Sequence, residues 1–397
     1  MYQAVHSDRS GRVVVAADYG ATAQDGPEPT PLEVVIPLPA GTELLPLADR
    51  AAIGLDRRSL PRSLGPARWA VAAIPPAGYL RTHLPSIEAA SDPAPLDALP
   101  YTAVAADARG ALVLAATRVT DSAPAAVVDV GPAITRRLRA EPSNMLLRQL
   151  ARCAREYRCQ AARNAFLGTG ECALPLGAPR NDAAAPVVAL RRREERAPLD
   201  PVAFRSPAAD AAAVAIAHLG AGGASVSFGH ACEGEPLEIV RDVVDVTTRI
   251  RAANATGGIA IRTSAGSAVA LGRAVEAGID RVVVRIASAD GPMYERVHRP
   301  AGFRWTDVRA AVRAAAARPV AVTIELLSLP GLTDRETEVR ALLALLGELP
   351  RGTELRLTDL AADPYALLAR IPAAATIGVA TMLDRLRADA AHVRLAA

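Results

Sequence analysis

Apolar and polar positions change their spacing twice along the chain. In the first third, short apolar runs at 12–17, 32–37 and 69–73 stand between Gly, Pro and Asp residues, the pattern of short strands joined by turns. Runs at 101–106 and 111–116 flank Asp107-Ala108-Arg109-Gly110, a connection ending in glycine that predicts a hairpin. Turn residues are dense nearby, as in Asp25-Gly26-Pro27 followed by Pro29 and Pro31. From Ser143 the period becomes helical. Leu147, Leu150, Ala154 and Tyr157 recur three and four residues apart behind a Ser143 or Asn144 cap, and the helix is expected to reach about Phe166. Past Gly170, apolar β-branched runs alternate with amphipathic stretches. Strands are expected at 172–176, 224–228, 258–263, 281–286, 320–326 and 354–358, and helices at 236–253, 267–277, 306–317 and 334–349. Gly278 closes the second of these helices and Thr333-Asp334 opens the last.

Strands separated by helices give right-handed βαβ units and a parallel sheet. Six such units fit a partial or closed α/β barrel, whose chemistry belongs at the carboxyl ends of the strands. The expected fold class is therefore α/β: a barrel over 171–397, preceded by a smaller β-rich domain at 1–130 and a linker helix within 131–170. Residues 180–207, rich in Ala, Arg and Pro, have no clear period and read as an extended loop over the carboxyl face.

Composition sharpens this only at points. With 397 residues, 51% apolar and 22% charged, the chain has the balance of a soluble globular protein of two domains. Aromatics make up 3%, so the core must be built from Ala, Val and Leu. All 45 basic residues are Arg, and the net charge of +3 is spread among acidic neighbours, which argues against a nucleic-acid groove. The run Arg191-Arg192-Arg193-Glu194-Glu195-Arg196 reads as a solvated loop. The first twenty residues carry no basic-then-apolar signal, and no stretch of about twenty apolar residues is free of charge or proline. A cytoplasmic protein without a membrane partner is expected.

Four cysteines, Cys153, Cys159, Cys172 and Cys232, are too few for a disulfide framework. In a reducing compartment they are buried thiols or metal ligands. Cys153 and Cys159, six positions apart on the expected helix, lie about 120° apart around its axis, which makes them structural thiols rather than a chelating pair. His230 and Cys232 supply half of a zinc ligand set and the remainder is not identifiable. No metal ligand set and no catalytic residue is assigned.

Several stretches, in order along the chain, resemble one branch of the radical S-adenosylmethionine (radical SAM) superfamily. Cys153, Cys159 and the following Ala162-Arg163-Asn164-Ala165-Phe166 resemble its linker helix. The most specific match is Val226-Ser227-Phe228-Gly229-His230-Ala231-Cys232-Glu233-Gly234-Glu235-Pro236-Leu237. Arg299-Pro300-Ala301-Gly302-Phe303 and Pro330-Gly331-Leu332-Thr333-Asp334 are two more. The resemblance implies a radical-SAM-like partial (β/α)6 barrel.

The defining motif of that superfamily is Cys-x3-Cys-x2-Cys after the first strand, where three thiolates hold a [4Fe–4S] cluster whose open iron chelates SAM. In the corresponding stretch, Arg180-Asn181-Asp182-Ala183-Ala184-Ala185-Pro186-Val187, the three positions match Arg180, Ala184 and Val187, and no cysteine stands between Cys172 and Cys232. The resemblance implies that Glu233, Gly234, Glu235 and Pro236 form the element that receives the SAM ammonium group. Glycine allows close backbone approach, a carboxylate pairs with ammonium, and Pro236 starts a helix. An acidic helix start is the structural alternative. Thr263, Arg285 and Ser288 stand at the third and fourth strand ends, where the superfamily meets the rest of SAM, and Arg180 offers a bidentate contact to its carboxylate.

These residues imply a cluster-less, pseudoenzyme-like protein that keeps a SAM-type small-ligand or partner-binding role, with a cysteine-complete relative among the partners. S-adenosylmethionine is the expected ligand type and a [4Fe–4S] cluster is not expected. Two alternatives stay open. One is an active radical SAM enzyme whose cluster ligands are supplied in a non-standard way. The other is a barrel enzyme using Glu233, Glu235, Arg262 and Arg285 for acid–base chemistry on an anionic substrate.

Overall fold

The computed structural model describes residues 2–26, 28–120, 128–183, 202–230, 233–253, 256–359 and 361–396. The first 120 residues form antiparallel sheet. Strand Glu43–Leu55 pairs with Val13–Gln24, that strand with Gln3–Ser7, Gln3–Ser7 with Trp69–Ile74, and Trp69–Ile74 again with Glu43–Leu55, so the pairings close into a ring. The expected hairpin is present: Thr102–Ala106 pairs with Leu112–Leu114, and Asp107 Oδ1 accepts the amides of Arg109 and Ala111 across the turn. The expected strand at 32–37 shrinks to Ile36–Pro37, which pairs with Val113 and Leu114.

The single linker helix expected within 131–170 is three helices, Gly131–Ala140, Met145–Glu156 and Gln160–Leu167. Asn144 caps the second, its Oδ1 accepting from Leu147 N at 2.9 Å. Arg158 at φ 51° breaks the helical path, which leaves Cys159 as the N-cap residue of the third helix rather than a partner of Cys153 on one helix.

The rest of the chain builds a seven-stranded parallel sheet: β1 Glu171–Ala173, β2 Ser225–Phe228, β3 Gly258–Thr263, β4 Arg281–Ile286, β5 Ala321–Leu327, β6 Glu354–Thr358 and β7 Arg394–Ala396. Six strands were expected; the seventh, three residues long, is too short to signal itself. Among the described residues no pairing joins β7 back to β1, so the sheet is open. Between the strands run α1 Ala208–Gly220, α2 Val240–Ala252, α3 Ala268–Glu276, α4 Gly291–His298, α5 Trp305–Ala316, α6 Glu336–Gly347 and α7 Val379–Asp389. Helix α6 starts at Glu336 instead of Thr333-Asp334, because both of those side chains are spent on the preceding loop: Thr333 Oγ1 accepts from Leu329 N and Asp334 Oδ1 from Gly331 N.

The strands alternate strictly. Val226, Phe228, Ile259, Ile261, Val282, Val284, Ile286, Val322, Ile324, Leu326, Leu355 and Leu357 join the helices in one apolar core. The residues between them point the other way and stay out of that core, so all the helices named here cover one face. The β domain sits on loops beyond the carboxyl ends of β4 to β6. Leu84 and Tyr101 share an apolar cluster with Ala287, Leu327, Leu329 and Leu332. Strand Ala98–Leu99 pairs with Ala361–Ala362, and Tyr365 Oη donates to Pro85 O at 2.7 Å.

Candidate functional site

The face of the sheet turned away from the helices is buried and carries charge. Arg285, Glu325 and Arg356 are register partners on β4, β5 and β6, and Thr323 and Glu354 lie one level below. Arg262 of β3 reaches Glu171 of β1 at 2.9 Å and Glu325 at 3.4 Å. Glu171 also meets His230 at 3.5 Å, and the Ser227 hydroxyl bonds the same His230 nitrogen. Burial opposes the charged form of Glu171, but His230 and Arg262 outweigh it and hold this carboxyl well below the usual range. Glu325 is 1% exposed, and its second oxygen has no hydrogen-bond partner among the described residues.

At the carboxyl ends, the loop after β2 packs on the loop after β1. Glu233 Oε1 accepts from Leu176 N at 2.6 Å and Oε2 from Gly229 N at 2.8 Å. A Cβ on Gly234 would lie 2.1 Å from Ala178 O, so only glycine lets the two loops touch there. Glu235 N donates to Pro179 O at 2.7 Å. The Glu235 carboxylate caps the short helix opened by Pro236, accepting from Leu237 N at 3.1 Å, and also takes Thr263 Oγ1 and Ser264 N from the end of β3. Three of its roughly four acceptor positions are filled by the chain itself. Burial pushes Glu233 up to about 7 and raises Glu235, and the donated hydrogen bonds pull both back.

The other expected site residues fall into two groups. Thr263 is bonded to Glu235 and to Ala265 N, and Ser288 to Glu338 Oε2 and the backbone of Asp290, so both hydroxyls hold loops in place. Arg180 is exposed, with no contact to Glu235 among the described residues. Arg285 differs from all of them. It is 7% exposed, makes no hydrogen bond or ion pair among the described residues, and its charge acts on both Glu233 and Glu235. The positions matching the second and third cluster cysteines, Ala184 and Val187, lie outside the described residues, as do Cys232 and most of the expected loop at 180–207.

Sequence reasoning missed the clamp on the start of that loop. Asp182 Oδ2 lies 3.1 Å from His298 Nδ1, while Ala287 N donates to His298 Nε2 at 2.9 Å, so the neutral ring carries its proton on Nδ1 and donates to Asp182. The ring stacks on Tyr294 at 4.0 Å. Ala183 N donates to His298 O and Ala301 N to Asn181 O, which ties the loop to the Arg299-Pro300-Ala301-Gly302-Phe303 stretch. No spacing rule joins residues 116 apart. The charged face did leave a signal: Arg281, Val283, Arg285 and Glu354, Arg356, Thr358 alternate with apolar residues inside parallel strands.

Among the described residues no three His, Cys, Asp or Glu side chains are grouped to hold a metal ion, and no helix is long and apolar enough to cross a membrane. Cys153 and Cys172 are buried in the helix-side core, where burial raises both thiols, and Cys159 packs against it.

No protein-family model matches the chain, and no curated protein matches it. Solved structures do. A radical SAM methyltransferase from Sphaerobacter thermophilus is 16% identical, with a TM-score of 0.35, over 49% of this chain and 58% of that one. SuiB from Streptococcus suis, bound to S-adenosylmethionine, is 12% identical, with a TM-score of 0.39, over 63% and 54%. HydG, a maturase of the [FeFe]-hydrogenase, is 11% identical, with a TM-score of 0.41, over 67% and 65%. The match therefore spans between 54% and 65% of these three chains.

Proposed function

We propose that this is a radical-SAM-like protein whose carboxyl face serves as a binding site for a small ligand with an anionic group, without generating a 5′-deoxyadenosyl radical. One observation carries the binding half of the reading: Arg285 is 7% exposed at the end of β4 and makes no hydrogen bond or ion pair among the described residues. That guanidinium is free to take a ligand carboxylate or phosphate in a charge-assisted hydrogen bond. The donor chemistry carries the other half. A [4Fe–4S] cluster takes thiolates. The described thiols sit on the helix side of the sheet, away from the loops after β1 and β2, and burial holds Cys153 and Cys172 as neutral thiols. They do not fit a cluster at the carboxyl face. In this reading Glu233 and Glu235 shape the site rather than act as free acids, since the chain's own donors occupy them.

Titration calorimetry with SAM and S-adenosylhomocysteine tests the site, beside iron analysis after anaerobic reconstitution. The expected result is binding that Arg285→Met weakens at least about tenfold, the loss typical of a charged hydrogen bond, with less than about one iron per chain. Absence of binding at millimolar ligand overturns the site. A brown protein with a full cube of iron overturns the cluster-less reading and favours an active enzyme.

A further inference from the structure

The charged face of the sheet is built in levels. Arg285, Glu325 and Arg356 form a charged level, and Leu327 and Thr358, with Ala287 two residues past Arg285, form the level above it. The β domain rests on this upper level through Leu84 and Tyr101. Much of the polar interface beside that contact is matched. Arg50 donates to Ala48 O and Ala94 O and lies 3.9 Å from Asp363, and Asp363 accepts from Leu96 N.

Arg81 is the exception. It is 0% exposed, and none of its three side-chain nitrogens has a hydrogen-bond partner among the described residues. The nearest carboxylate is Asp359, just past β6. Its Oδ2 accepts from the Arg81 backbone amide at 3.4 Å, yet it makes no ion pair with the guanidinium. Tyr101 and Tyr365 are its other polar neighbours, and the Tyr365 hydroxyl is spent on Pro85.

We infer that the β domain is a movable plug over the β4–β6 half of the carboxyl face, biased toward opening by the unmet hydrogen bonds of Arg81. A guanidinium has five N–H donors, and burying them without protein acceptors raises the free energy of the docked state. Undocking returns them to water at the cost of the Leu84 and Tyr101 contacts, the Ala98–Leu99 pairing and the polar contacts of Tyr365 and Arg50. The two sides oppose each other at one joint, and their balance sets the population of the open arrangement. In the docked arrangement the β domain lies above the level of Arg285, Glu325 and Arg356, beside the loops that carry Glu233, Gly234 and Glu235. Undocking widens the approach to Arg285. This inference holds whatever ligand the site takes, because it concerns the joint alone.

Hydrogen–deuterium exchange on the full chain tests it. Peptides covering 96–101 and 361–364 hold the backbone pairing between the domains, and peptides covering β4 report global unfolding. The interdomain peptides are expected to exchange at least about tenfold faster than β4 in the parent protein, as sub-global opening requires. Arg81→Met, which keeps the length and removes the donors, should slow them about tenfold without slowing β4 in proportion. Asp359→Asn, which removes the nearest negative charge, should speed them. Interdomain peptides that exchange no faster than β4 overturn the plug. So does an Arg81→Met protein whose joint exchanges as fast as the parent or faster. If Arg81→Met does not fold, Asp359→Asn decides: a joint that fails to speed up, with β4 unchanged, overturns the inference.

Discussion

The two faces of the parallel sheet are made by alternate residues of the same strands, yet they do opposite work. On β5, Ile324 is buried among the helices and Glu325, its neighbour, is buried among arginines. The helix face gains from area removed from water, at roughly 25 cal/mol per Å². The other face gains little from burial and must match every charge. It does so through Arg262, Glu171, Glu325 and Arg356, and leaves Arg285 unmatched. A fully wrapped parallel sheet is apolar on both faces.

That contrast can be broken by substitution. Ile324→Ala should cost about 3 kcal/mol by chemical denaturation, as a large-to-small change in a packed core does. If Arg285→Met costs as much, Arg285 is a structural residue and the comparison fails. Arg285→Met is expected instead to leave stability within about 1 kcal/mol of the parent, since it breaks no hydrogen bond or ion pair among the described residues.

The pH dependence comes next in size. Burial raises Glu233, Asp334 and Glu338, each to about 7. Because these folded-state values lie above the ordinary carboxylate range, the stability they contribute is fully present below about pH 4 and is lost as pH rises through 7. Glu171 is shifted down and acts only on the acid side of that window. The urea midpoint should therefore be higher at pH 5 than at pH 8, by a stability difference on the order of 2 kcal/mol for each of the three acids. A flat profile between those values would mean that these three acids are ionised and paired in the folded protein.

The smallest effect belongs to the thiols. Cys153→Ala should lower stability by about 1 kcal/mol and leave ligand affinity unchanged, in keeping with a buried side chain of small volume. Loss of affinity at unchanged stability would move Cys153 from the core to the site.

Much of the architecture was legible in the residues. The hairpin around Asp107 to Gly110, the six strands from 171 to 358 and four of the helices follow from local periods and turn residues. Helix α1, rich in alanine on every side, gave no amphipathic stripe to read, and Gly291–His298 and Val379–Asp389 were missed as well. The site was legible only as a set of names. Glu233, Gly234, Glu235 and Pro236 do lie together at the joined loops, but the sequence could not say that both carboxylates are already occupied. That depends on where the amides of residues 176, 229, 237 and 264 point.

By itself, then, the sequence determined the alternation that divides each strand between two faces, the turns and caps that end the elements, and the lack of any cysteine between Cys172 and Cys232. These are properties of residues near one another in the chain, and local sterics and spacing decide them. Tertiary structure alone decided which charges meet. Arg262 finds Glu171 across 91 residues, His298 finds Asp182 across 116, and Arg81 is carried 278 residues from Asp359 to a place where its side chain finds no acceptor. Charge pairing acts over a few ångströms in space and has no period along the chain, so only the folded arrangement brings Arg285 and Arg81 to light as the two buried arginines whose side chains make no hydrogen bond among the described residues.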